Sequence, residues 1–270
     1  MKNFNPVFMK EIKLRFRNAK SFSALAFYLI ALTLMILAYL IVVTNLVGTG
    51  YFRPNESFLL FCCLTALQMG LVLFMTPALT AGVVSSEREK QTLNILLTTT
   101  LTSPQIIVGK LFASIAFLVL LLIATLPMYS LVFLFGGVSP GQLLSVFALF
   151  LLTVFALGSL GVLFSTVTKK TVVSMISTYG MAIFLTVFTA IFFFVGLATM
   201  TEEKMHLLSY IWIALNPFAV VLSVLVPDIS AGISEMTQVS QPIWLVYTII
   251  YAVIGIVSLL IAVKKLRSSN

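Results

Sequence analysis

Charge is what this 270-residue sequence has least of: 9% of its residues are Asp, Glu, Lys or Arg, where soluble domains carry about a quarter. With 60% hydrophobic residues, the shortage excludes an ordinary soluble domain and predicts a polytopic all-α membrane protein. Cysteine is nearly missing too. Cys62 and Cys63 are adjacent in an apolar run, which suits neither a disulfide framework nor a metal-ligand spacing. Histidine occurs once, at His206 beside a segment boundary, with no second ligand nearby. The eight acids avoid mid-membrane: Glu11, Glu87 and Glu89 belong to inner segments, and Glu56, Glu202, Glu203, Asp228 and Glu235 to outer ones. Proton-coupled carriers and ion pumps place an ionisable group in the bundle as the coupling device, at a cost of about 2.5–3.5 kcal/mol or more. None is offered here, and an intramembrane protease lacks its Ser/His, paired Asp or metal cluster. Gly109-Lys110 is not a phosphate loop, because no glycine stands five residues before Gly109 and leucine follows Lys110. No catalytic residue, metal ligand or cofactor is therefore expected.

What is present is a series of long apolar runs. Phe22–Val43, Ser57–Val84, Leu111–Phe135, Leu143–Val167, Val172–Met200 and Ile243–Val263 each suffice, at about 1.5 Å per residue, to cross a core of about 30 Å. The first run is too long for a cleavable signal and lacks a small-residue cleavage site, so it is expected to stay as span one. Leu207–Val226 is a further uncharged run, interrupted midway by Asn216-Pro217. Proline removes a backbone donor and clashes with the preceding turn, which predicts two half-helices in place of one rod.

The net charge of +8 comes from cations at the ends of apolar runs, the pattern of membrane orientation and not of a nucleic-acid face. With six spans, Lys2, Lys10, Lys13, Arg15, Arg17, Lys20, Arg88, Lys90, Lys110, Lys169, Lys170, Lys264, Lys265 and Arg267 lie inside, against Arg53 and Lys204 outside. A seventh crossing would move the terminal cations outside. Leu207–Val226 is accordingly expected to be a re-entrant or interfacial hairpin on the outer face, with both termini cytoplasmic.

Two inner segments are amphipathic. Residues 3–20 place Phe4, Phe8, Ile12 and Phe16 on one stripe and Lys10, Lys13, Arg17 and Lys20 on another, either an anchor to anionic lipid or an elbow that touches a cytoplasmic partner. In the stretch Ser85–Lys110, Ser86 and Glu89 have capping-box spacing, and Leu93, Leu96 and Leu97 recur on one helical face. Ser103 is expected to cap a second helix, with Pro104 in its first turn. The leucine face requires a cover, either a partner subunit or the protein's own spans.

Glu87-Arg88-Glu89, Thr92-Leu93, Leu96-Leu97, Ser103-Pro104 and Gly109-Lys110 together resemble the inner loop of type-2 ABC exporter permeases, and Asn5-Pro6-Val7, Lys10-Glu11 and Arg15-Phe16-Arg17 resemble that family's entry segment. The sequence departs from the pattern at Lys90-Gln91, where many relatives have a small residue or glycine. The resemblance implies an interfacial helix over 1–20 and a six-span permease domain over 21–270. Within the latter it implies a cytoplasmic coupling loop at 85–104 and an outer hairpin at 201–241. It also implies a second permease, homo- or heterodimeric, and separate ATP-binding subunits. Glu87, Arg88, Glu89, Thr92, Leu93, Leu96 and Leu97 would then couple to the ATPase. Independently of the resemblance, the break at Asn216 and Pro217 is expected to form an outer gate, since a broken apolar segment at membrane depth is tolerated only against protein or a cavity. The implied activity is ATP-driven efflux across the cell membrane by alternating access, and a pathway lined by Phe, Leu, Thr and amide groups such as Gln68 favours an amphipathic or lipid-like substrate over a bare ion. The rival reading is a non-transporting scaffold or sensor whose inner loop docks a regulatory protein.

Overall fold

The computed structural model describes residues 6–17, 19–47, 54–93, 98, 101–199 and 203–268, and all regular structure among them is helical. The chain opens with α1 (Pro6–Phe16), followed by the long apolar helices α2 (Ala19–Val47) and α3 (Pro54–Thr80). A short α4 (Ser85–Glu89) closes span two. Span three is α5 (Ser103–Ala124) continued by α6 (Leu126–Phe135), and span four is α7 (Pro140–Val167). Span five consists of α8 (Thr171–Ile183), a π-helical turn at Phe184–Phe188 and α9 (Thr189–Thr199). Three shorter helices, α10 (Glu203–Ala214), α11 (Pro217–Leu225) and α12 (Pro227–Thr237), precede the last span, α13 (Ile243–Ser268).

Six stretches are long and apolar enough to cross a membrane: Phe22–Asn45, Asn55–Glu89, Ser103–Phe135, Pro140–Val167, Thr171–Ala198 and Ile243–Leu266. They coincide with the six apolar runs, and the chain is a multi-pass membrane protein. The interrupted run does break at Asn216: Leu207–Ala214 and Pro217–Leu225 meet at 91°. Spans two, three and four form the buried centre, while one, five and six leave much of their surface exposed. Such outward faces suit lipid, which is as apolar as the side chains it meets. The centre is tight. A Cβ on Gly161 of α7 would collide with the Thr80 hydroxyl of α3, so the missing side chain is what lets these two helices touch.

Local chemistry explains most ends. Ser139 caps α7, its Oγ accepting from Gln142 N at 3.2 Å while Gln142 Oε1 accepts from Ser139 N at 2.9 Å. Span three is interrupted at Thr125, two residues before Pro127, as a missing N–H requires. The π-helical turn has neither glycine nor proline to announce it.

Two boundaries are corrected. The surface helix does not run through residue 20: α1 ends at Phe16 and α2 begins at Ala19, so Lys20 sits in the first turn of the span-one helix. A cation there marks the end of an apolar run. The N-cap of α5 is Thr102 and not Ser103, because Gln105 Oε1 reaches back to accept from Thr102 N at 2.9 Å.

Candidate functional site

The stretch after span two is tied to four other parts of the chain. Lys110, on the first turns of α5, is 3% exposed, and its ammonium lies 2.7 Å from Glu87 Oε1 and 2.8 Å from Glu11 Oε1. One buried cation thus joins α1, α4 and span three. Arg88 Nη1 donates to Thr168 O at 2.9 Å, at the end of span four. Glu89 accepts from Thr171 twice, from N at 2.8 Å and from Oγ1 at 2.7 Å, and so satisfies the free end of α8 in span five. The three adjacent charges therefore reach three different spans, and Glu87 also shares Lys110 with α1.

Serine hydroxyls fix the elbow that carries these charges. Ser165 Oγ, at the end of α7, accepts from both Val84 N and Ser85 N at 2.9 Å. Val84 is the N-cap of α4 and no side chain of the stretch itself caps the helix, so the expected Ser86–Glu89 capping box does not form. Glu89 is taken by Thr171, and the donors that a local cap would serve belong partly to a serine 80 residues away. The expected helix also breaks early. Gln91 adopts φ +58°, a left-handed conformation that favours glycine, at the position where the sequence departs from the resembled pattern. Thr92 is exposed beyond this kink, with its amide donating to Glu87 O at 2.9 Å.

Leu93 is 2% exposed and packs in a cluster with Val84, Ile106, Ile107, Leu111 and Leu266. The expectation that it faces a partner is corrected: the protein's own spans cover it. Leu96 and Leu97 lie outside the described residues. Lys10 and Lys13 on α1 and Arg17 just beyond it are exposed, while Val7 is buried and Glu11 meets Lys110. The side chain of Lys20 lies outside the described residues. A cleft of about 400 Å³ opens between Gly82, Glu87, Lys90, Lys110 and Met175. Among the exposed polar groups of the loop, Lys90, Gln91 and Thr92 stand together.

At the other end of the bundle, Asn216 organises the break. Its Oδ1 accepts from Phe218 N at 3.0 Å and Ala219 N at 3.2 Å, capping α11, while Nδ2 donates to Thr186 O at 2.6 Å in the π-helical turn. Tyr251 of span six donates to Leu215 O at 2.9 Å. Pro217 follows as the first residue of α11, where its missing donor costs nothing. Beside this joint a cleft of about 700 Å³ runs between spans two and five, lined by Leu73, Phe74, Tyr179, Ile183, Thr186 and Phe218. Gln68 is not among the residues lining this cleft; it is buried and donates to Thr125 Oγ1 at 3.1 Å.

The model of the ABC-2 family transporter proteins matches residues 69–264, which takes in the Glu87–Glu89 charges, Lys110 and the Asn216 joint. The chain belongs to this family. It is a type-2 ABC permease, the transmembrane component of an ABC transporter and not itself its ATPase. Permeases of this family generally work with an ATP-binding subunit. Among curated proteins, none matches the chain.

Sequence reasoning missed the ion-pair joint. Lys110 entered only as an inner cation and Glu11 as an inner acid, and they stand 99 residues apart. One signal was available: Lys110 lies inside the apolar stretch Ile106–Leu111, where a cation requires a counter-ion.

Proposed function

We propose that this permease couples ATP hydrolysis in a separate cytoplasmic subunit to export of an amphipathic or lipid-like substrate by alternating access. It pairs with a second permease in the cell membrane, and both of its termini are cytoplasmic. The observation that carries the reading is the distribution of the Glu87-Arg88-Glu89 bonds over spans three, four and five. A push delivered to the loop reaches all three spans at once. In this reading the partner grips the exposed Lys90-Gln91-Thr92 edge and the 94–97 segment, while Leu93 ties the loop to the spans beneath it. The exposed cations Lys10, Lys13 and Arg17 lie against anionic lipid, and Glu11 carries motion of α1 to Lys110.

The apolar cleft beside Thr186 and Phe218 supports a substrate with a large apolar body and few polar groups. The Asn216-Pro217 joint at its edge supports an outer gate, since broken backbone at membrane depth is tolerated only against protein or a cavity.

The test is co-expression with an ATP-binding subunit, co-purification, and ATPase measurement in proteoliposomes, followed by uptake of fluorescent amphiphiles into inside-out vesicles. Export predicts ATP-dependent uptake into inside-out vesicles. Accumulation only in right-side-out vesicles would reverse the direction. A permease that binds a cytoplasmic protein without any ATP-dependent flux would favour the scaffold.

A further inference from the structure

Four polar oxygens are buried where spans one, two and three meet, and none makes a hydrogen bond of good geometry among the described residues, the Tyr129 hydroxyl and Thr65 Oγ1 standing only in loose reach of each other. They are the Tyr28 hydroxyl on α2, Thr65 Oγ1 and Gln68 Oε1 on α3, and the Tyr129 hydroxyl on α6. All four side chains are at most 1% exposed. They form one neighbourhood: Tyr129 stands beside both Thr65 and Tyr28, and Thr65 and Gln68 lie one helical turn apart on the same face. Thr125 closes one side, because its Oγ1 accepts from Gln68 and donates to Leu122 O at 2.7 Å, leaving nothing for Gln68 Oε1.

A buried polar group in an apolar medium costs several kcal/mol when unpaired. Four in one place is more than a membrane bundle sustains, whereas a buried water making about three hydrogen bonds satisfies such groups in pairs. We propose that the unpaired oxygens of Tyr28, Thr65, Gln68 and Tyr129 hold bound water in the centre of the bundle. One or two waters, at about three bonds each, would occupy all four oxygens. The contrast lies in the other buried tyrosines. Tyr247 pairs with Thr153 Oγ1 at 2.6 Å and Tyr251 donates to Leu215 O at 2.9 Å, so these two buried hydroxyls are met by protein alone. The water sits beside the interruption of span three at Thr125, where backbone ties are already fewer.

The test is X-ray radiolysis of the full-length permease in lipid nanodiscs, read by mass spectrometry. Pulses split bound water into hydroxyl radicals that oxidise the side chains touching it. Tyr28 and Tyr129 are expected to gain oxygen severalfold faster than Tyr247, which is equally buried. Equal rates for the three tyrosines would overturn the site and leave a direct Tyr129–Thr65 contact in its place. In the Thr65→Val/Gln68→Leu variant, oxidation of Tyr28 and Tyr129 is expected to fall to the Tyr247 rate, with exposed Trp244 unchanged as the measure of folding. Undiminished oxidation would show that these side chains do not hold the water. Should the double variant fail to fold, the near-isosteric Thr65→Val alone carries the comparison, with a partial fall expected and no fall overturning the role of Thr65.

Discussion

The Lys110 ammonium lies 2.7 Å from Glu87 Oε1, one helix start gripping another across a joint that is 3% exposed on the lysine side. The same ammonium holds Glu11, so two carboxylates depend on one cation. Lys110→Met leaves both acids facing each other without it. Because they are about a quarter exposed, the cost is expected to fall below the ~3–5 kcal/mol of a broken fully buried pair. Glu11→Gln keeps the Glu87 pair and is expected to cost clearly less. Thermal unfolding in detergent checks the order, and equal losses in the two variants would mean that Lys110 is not the shared anchor.

Leu93 makes the second prediction. Its side chain fills a cluster with Ile106, Ile107, Leu111 and Leu266, so Leu93→Ala is expected to destabilise the isolated permease by about 2–5 kcal/mol. Leu93→Asp costs more, since the carboxylate enters that cluster unpaired. Lys90→Ala, on the exposed side of the kink, is expected to leave stability within about 0.5 kcal/mol of wild type while weakening retention of the ATP-binding subunit. If Leu93→Asp melts normally but loses the partner, the partner and not the bundle covers that leucine.

Local patterns were reliable wherever one element decides the outcome. The six apolar runs became six membrane-length helices because no residue inside them pays for exposure in lipid, and the break at Asn216-Pro217 followed from a missing N–H. The patterns failed where a distant group took the local donor or acceptor. Ser86 and Glu89 had capping-box spacing, yet Ser165 and Thr171, both about 80 residues away, hold that elbow. Leu93 had the spacing of a docking face, and only the return of α5 and α13 beneath it shows that the face is filled. The π-helical turn at Phe184–Phe188 was unreadable because it carries no breaker residue. Its neighbour across the cleft, Asn216, is what uses the carbonyl it presents.

Orientation is the third prediction. In a variant lacking Cys62 and Cys63, single cysteines at Gln238, Lys169 and Arg267 report sidedness. The first two positions are exposed. Gln238→Cys is expected to react with an impermeant maleimide in intact cells, and Lys169→Cys and Arg267→Cys only after lysis. Reaction at 267 without reaction at 169 would require Leu207–Leu225 to cross the membrane as a seventh span.

Asn216 and Pro217 separate folding from transport. Asn216→Ala removes an N-cap worth about 0.5–2 kcal/mol and takes from Thr186 O in span five its 2.6 Å donor, leaving it the Thr189 hydroxyl at 3.4 Å, a loss of about 0.5–1.5 kcal/mol. Asn216→Asp keeps the acceptor for Phe218 N and Ala219 N, loses the donor to Thr186 O and Thr189 Oγ1, and adds a carboxyl at a 4%-exposed site, so its cost exceeds that of the tie to span five alone. Pro217→Ala restores a donor at a position that needs none and frees the backbone to continue the α10 axis. It is expected to leave expression and melting near wild type while changing substrate flux. The discriminating measurement is flux per folded permease in proteoliposomes containing the ATP-binding subunit. If the joint gates the pathway, Pro217→Ala and Asn216→Asp both alter flux and leave the ATP-binding subunit's affinity unchanged. If it is only a structural corner, Asn216→Asp lowers stability, Pro217→Ala does nothing, and flux per folded molecule stays constant in both.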